Sequence, residues 1–144
     1  MLKDYESKLN ENKRDYKKVE ESVLKQVVNF LKYQYPKIYY RVDAAAGMRM
    51  TIGQAMANKK IQKCRAWPDL FIAQPTIMAS GLFIELKKSK DEVFTKNGSI
   101  KKDEHLNEQN QMLEILRELG YKAEFGCGFD HTIQLIRQYI NEDL

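Results

Sequence analysis

Pro68-Asp69-Leu70-Phe71-Ile72 and Leu82-Phe83-Ile84-Glu85-Leu86-Lys87, separated by a stretch holding Pro75, Ser80 and Gly81, decide how this chain folds. Both apolar runs have strand length and turn-forming residues divide them, a pattern that predicts two neighbouring strands of one sheet. Side chains alternate faces along a strand, so Phe83, Glu85 and Lys87 project to one side while Leu82, Ile84 and Leu86 project to the other. The first strand begins with an acid. The second carries an acid and a lysine near its end, on a shared face.

Upstream, Tyr16, Val19, Val23, Val27, Phe30 and Leu31 recur at helical spacing until Tyr35-Pro36 ends the pattern. At about 100° per residue Glu20 falls near the centre of that apolar face, whereas Glu21 points away from it. Ile38 to Val42 reads as a strand, and the irregular segment from Asp43 to Cys64 holds a short helix over Thr51 to Lys60. Downstream, Lys88 to Glu104 is polar and carries the turn pair Asn97-Gly98. Leu106, Met112, Leu113, Leu116 and Leu119 then mark a helix closed by Gly120, with Gln109 in mid-stripe. A strand over Lys122 to Cys127 follows, and Asp130 is placed to cap a last helix through Ile133, Ile136 and Tyr139. The order helix, strand, strand, strand, helix, strand, helix predicts an α/β sandwich with a mixed central sheet flanked by helices. Residues 1 to 15 form a charged lead-in and residues 16 to 144 a single domain.

The chain is 43% hydrophobic and 31% charged, the composition of a globular domain, and its apolar runs are too short to cross a membrane. Two cysteines without metal-ligand spacing, and a charged start with no signal peptide, make a cytoplasmic location the expectation. The net charge of +4 is mild, but its distribution is informative. Arg49, Lys63 and Arg65 precede Asp69, and Lys88 and Lys90 follow Glu85. Basic groups on both sides of an acidic pocket suit a phosphate-backbone ligand, which makes these five residues candidates for DNA contact. A solvated lysine-rich surface is the other reading of the same runs.

Pro68-Asp69 on one strand and Glu85-Leu86-Lys87 on the next resemble the motif of the PD-(D/E)XK nuclease superfamily. With Gln109 on the following helix and then Gly120-Tyr121-Lys122-Ala123, the chain looks more narrowly like the VRR-NUC family over residues 16 to 140. The resemblance implies a restriction-endonuclease-like fold and a magnesium- or manganese-dependent endodeoxyribonuclease. In stand-alone relatives it implies a homodimer that hydrolyses phosphodiester bonds in branched DNA, in the manner of a Holliday-junction resolvase. The cytoplasm would be that of a bacterium, or of the host if the source is viral. A nuclease with a restriction or repair substrate, and a non-catalytic nucleic-acid-binding module, are the competing readings. Arg65-Ala66-Trp67 departs from the glycine and small aliphatic residue that usually precede Pro-Asp in this family. The segment from Lys88 to Glu104 is long for it, and is read as a mobile, substrate-facing element.

Phosphodiester hydrolysis needs a nucleophile, a neutraliser for charge growing on phosphate, and protonation of the departing oxygen. Hard cations held by carboxylates suit this chemistry, which marks Asp69 and Glu85 as metal ligands. By resemblance, the backbone carbonyl of Leu86 completes the set. Lys87 orients the attacking water or stabilises the phosphate, or else is salt-bridged to Glu85. Glu20 completes the acidic pocket as a metal ligand, or sits in a structural ion pair. Gln109 contacts substrate or a metal-held water, or bonds to backbone. Trp67 stacks on a base or packs beneath its loop. His105, His131 and Cys127 have no ligand or nucleophile pattern around them.

Overall fold

The computed structural model describes residues 22–43 and 50–141. Among these residues four helices and four strands follow one another: α1 (22–34), β1 (Tyr40–Val42), α2 (Ile52–Ile61), β2 (Leu70–Ile72), β3 (Leu82–Lys87), α3 (Glu104–Glu118), β4 (Lys122–Cys127) and α4 (Phe129–Ile140), with a 3-10 turn over Lys90–Glu92. The sheet runs β1-β2-β3-β4; the first two pairings are antiparallel and β3 with β4 is parallel. This is the mixed sheet flanked by helices that the order of apolar runs predicts.

Alternation along β3 divides the core into two layers. Leu82, Ile84 and Leu86 join Leu70 and Ile72 under Val23, Val27 and Leu31 of α1 and Ile133, Ile136 and Tyr139 of α4. Phe83, Ala123, Phe125 and Cys127 face the other way, against Leu106, Leu113 and Leu116 of α3. Because both faces of β3 are covered, its first five residues are all buried, Glu85 included. The close fit between β4 and α4 depends on Gly126, where a Cβ would lie 2.5 Å from Thr132 Oγ1 and 2.7 Å from Ile84 Cγ2.

Local sequence accounts for the helix ends. Thr51 and Gln54 form a reciprocal capping box at α2, with Gln54 N–H donating to Thr51 Oγ1 and Thr51 N–H to Gln54 Oε1. Asp103 Oδ1 accepts the Leu106 amide at 2.8 Å to start α3. At its other end Tyr121 N–H reaches Leu116 O and Gly120 N–H reaches Arg117 O, with Gly120 at φ +96, which is the paired closure that favours glycine.

Several expectations are corrected. The strand expected from Ile38 begins only at Tyr40, and the ladder of the strand expected from Pro68 begins at Leu70, since proline has no amide to donate. Gly128, not Asp130, is the N-cap of α4; Asp130 sits in the first turn, where its charge favours the helix dipole without capping it. Leu119 is 67% exposed because the chain turns away at Gly120. The 88–104 segment, expected to be mobile, is packed down. Val93 is fully buried beside α3, Phe94 pairs with Ile100, and Gly98 N–H closes a turn on Thr95 O.

Candidate active site

Asp69 immediately precedes β2, and Glu85 is the fourth residue of β3. Leu70 pairs with Ile84, so one further step in the antiparallel register sets Asp69 beside Glu85. Both belong to the layer that faces α3, since the residues alternating with them, Leu70 and Ile84, point into the α1/α4 layer. At this edge the ladder is replaced by a side chain. Pro68 cannot donate, and the amide of Leu86 instead donates to Asp69 Oδ2 at 2.8 Å. The N–H and C=O of one strand residue point to the same edge, so the Leu86 carbonyl is directed toward Asp69's side of β3. The Asp69 carbonyl meanwhile accepts the Asp43 amide at 2.8 Å, which anchors the start of β2 to the end of β1.

Gln109 reaches this layer from α3. It is 6% exposed, as is Glu85, and its Nε2 donates to Glu85 Oε1 at 2.6 Å. An ionised carboxylate can only accept, so the amide must turn its nitrogen to Glu85. Its own Oε1 is then a buried side-chain oxygen without a hydrogen-bond partner among the described residues. Lys87 ends β3, half-buried, on the same face as Glu85 and opposite Cys127 of β4.

Among the described residues no three His, Cys, Asp or Glu side chains cluster as a metal site. The oxygen donors that strand register and the Gln109 contact put at this junction are Asp69, Glu85, the Leu86 carbonyl and Gln109 Oε1. All are hard donors of the kind magnesium and manganese accept. Glu20 lies outside the described residues. Helix α1, which follows it in sequence, packs on the sheet face opposite Asp69 and Glu85.

Of the four described candidates for DNA contact, Lys63 and Arg65 line one cavity and Lys90 another. Lys63 and Arg65 lie on the β2 flank of Asp69, and Lys88 and Lys90 lie beyond the end of β3; Arg49 is outside the described residues. Arg65 makes a two-pronged contact with Glu108, its Nη2 at 2.7 Å and its Nε at 3.0 Å from the carboxylate, and this hydrogen bonding holds Glu108 below the usual carboxylate range. Lys88 turns to Glu92, whose Oε2 also accepts its amide at 3.1 Å. Lys63 and Lys90 are exposed.

Trp67 takes the packing role of its two expected ones and keeps part of its ring open. Its ring meets Phe83 edge-on at 5.3 Å, yet the residue remains 41% exposed. Burial pushes the Cys127 thiol up, away from the thiolate form that a nucleophile uses. His131 Nδ1 accepts the Cys127 amide at 2.9 Å, which fixes the proton on Nε2. Burial and, after it, the charge of Lys90 lower its pKa. Sequence gives no signal for this contact or for the Arg65 partner, because both depend on how helices dock against the sheet.

No family model matches the chain, and no curated protein matches it. A solved structure described as a VRR_NUC domain protein is similar in fold, with a TM-score of 0.59 at 27% sequence identity, over 84% of this chain and 87% of that one.

Proposed function

We propose, from the likeness in fold and sequence to a VRR_NUC domain protein, that this chain is a nuclease of the VRR-NUC type, a metal-dependent endodeoxyribonuclease that hydrolyses phosphodiester bonds in branched DNA. The observation that carries this reading is the junction of β2 and β3, where Asp69 sits beside buried Glu85 and takes the Leu86 amide in place of a ladder partner. A buried carboxylate must be matched by a cation or by donors. Gln109 supplies one donor to Glu85 and brings an unpartnered oxygen with it.

Asp69, Glu85 and the Leu86 carbonyl would hold magnesium or manganese, with Gln109 Oε1 turned to the same ion or to water beside it. The ion would supply charge neutralisation at the phosphate and a lowered pKa for water. The chain's residues perform the remaining work. Asp69 is held in place by the Leu86 amide, so its orientation does not wait on substrate. Gln109 orients Glu85 by donating to it. Lys87, on the Glu85 face at the end of β3, orients the attacking water and stabilises the charged phosphate. Exposed Lys63 on one flank and Lys90 on the other offset repulsion between DNA and the carboxylates, beside Arg65 and Lys88, which are engaged with Glu108 and Glu92.

A homodimer would present two such sites to the matched strands of a four-way junction. Linear, forked and four-way DNA of one sequence, incubated with magnesium, test the substrate. Faster cleavage of the branched forms supports the reading. Equal rates on all three would replace it with a nuclease indifferent to structure.

A further inference from the structure

α2 is a helix that buries nothing. None of its ten residues is buried, and Ile52 and Met56, one turn apart, are 82% and 58% exposed. A ten-residue helix is marginal in water without packing, so this one is expected to gain stability from whatever lies against it. Between α2 and α3 runs a cavity of about 700 Å³ lined by Lys59, Lys63, Trp67, Met112 and Ile115 among others. Its floor is apolar and its α2 rim is basic. Of the two acids that line it, Glu108 is neutralised by Arg65, leaving Asp43 against the rim lysines. The groove therefore favours an anionic occupant with apolar faces.

We propose that this groove holds an unpaired stretch of the DNA, with Trp67 as the stacking platform for a base and Lys59 and Lys63 on the phosphates beside it. The inference rests on the reading of Asp69 and Glu85 as the cleavage centre, because Trp67 stands two residues before Asp69. Edge-on contact with Phe83 fixes the indole without covering it. Duplex DNA turns its phosphates outward and keeps its base faces stacked, so it has no use for an exposed indole above a floor of Met112 and Ile115. An unpaired nucleotide uses both, its base on the ring and its phosphate on the lysines. The groove would thus select DNA with a single-stranded portion next to the cleaved bond.

Trp67 is the chain's single tryptophan, so its fluorescence reports on the groove alone. The full chain is titrated, in chelator so that nothing is cut, with an oligothymidylate of about eight nucleotides and with a blunt duplex of equal length. The single strand is expected to quench the emission and the duplex to leave it unchanged. In anisotropy with a labelled oligonucleotide, Trp67→Ala and the double variant Lys59→Glu/Lys63→Glu should each weaken binding about tenfold or more. No quenching by the single strand, equal quenching by the duplex, or unchanged affinity in the lysine variant would overturn the proposal. Emission that shifts with protein concentration in the absence of DNA would also overturn it, by seating a second copy in the groove. Quenching without magnesium-dependent cleavage would leave the groove standing and remove the nuclease reading; cleavage without quenching would do the reverse.

Discussion

Gln109 and Glu85 share a buried hydrogen bond across the interface of α3 and β3, with 2.6 Å between Nε2 and Oε1. It leaves the amide oxygen of Gln109 without a hydrogen-bond partner among the described residues. An unsatisfied buried polar group costs about 1–3 kcal/mol, so a residue kept there for packing alone would be poorly chosen. The observed role of Gln109 is to hold Glu85; under the proposed function its oxygen would face the cation.

Gln109→Leu is therefore expected to lower the melting temperature, by an amount corresponding to about 1–3 kcal/mol, because Glu85 loses a donor while staying buried. Cleavage should slow as well. Thermal unfolding and single-turnover rates check this together. A variant that is more stable than the wild type and cuts as fast would make Gln109 a tolerated core residue.

Lys87→Ala should reduce the cleavage rate by about two to three orders of magnitude, the scale of removing one donor to a developing oxyanion. Stability should change little, since Lys87 is only half-buried and ends its strand. Single-turnover kinetics at saturating protein decide the point. An unaffected rate would make Lys87 an ordinary strand-end lysine.

Gly126→Ala places a Cβ 2.5 Å from Thr132 Oγ1 and 2.7 Å from Ile84 Cγ2, both on fully buried side chains. Overpacking of this kind costs about 1–3 kcal/mol. Denaturant unfolding should register that loss in the single variant. The double variant Gly126→Ala/Thr132→Ala should be more stable than the sum of the two single changes, because the second change removes the clashing oxygen.

His131 gives the protein a pH dependence of known sign. Its folded pKa lies below the ordinary value of 6.5, first through burial and then through Lys90. The unfolded chain thus binds more protons than the folded one just below that value, and stability rises with pH through the window. The contribution is complete above about 6.5 and is lost as pH falls below it, when protonation of Nδ1 would break the bond from the Cys127 amide. Melting temperatures across this window should show the slope, and His131→Gln should flatten it. A slope that is unchanged in the variant would assign it to other groups.

The elements legible in the sequence were those whose signal is local. Leu82 to Lys87 reads as a strand from its apolar run and its flanking turn residues, and Gly120 reads as a helix stop because only a closing turn requires its backbone. Gln109 was visible for a related reason, a polar residue in mid-stripe. The paths of Arg65 to Glu108 and of Cys127 to His131 were not legible, since each joins a loop or strand to a helix whose docking angle no periodicity encodes. The 88–104 segment misled because its polar composition hides a single buried anchor, Val93. Asp130 misleads because a capping residue type two positions past the N-cap looks the same in sequence as one in register.

The central claim is that Asp69 and Glu85 form a cation-dependent cleavage centre, and it is tested most directly by the Glu85→Gln variant beside the wild type on a four-way junction, with magnesium and with chelator. The account predicts nicking by the wild type in magnesium alone, no nicking by Glu85→Gln in either condition, and junction binding and a folded state retained in the variant. Undiminished cleavage in chelator, or wild-type turnover by Glu85→Gln, would contradict it.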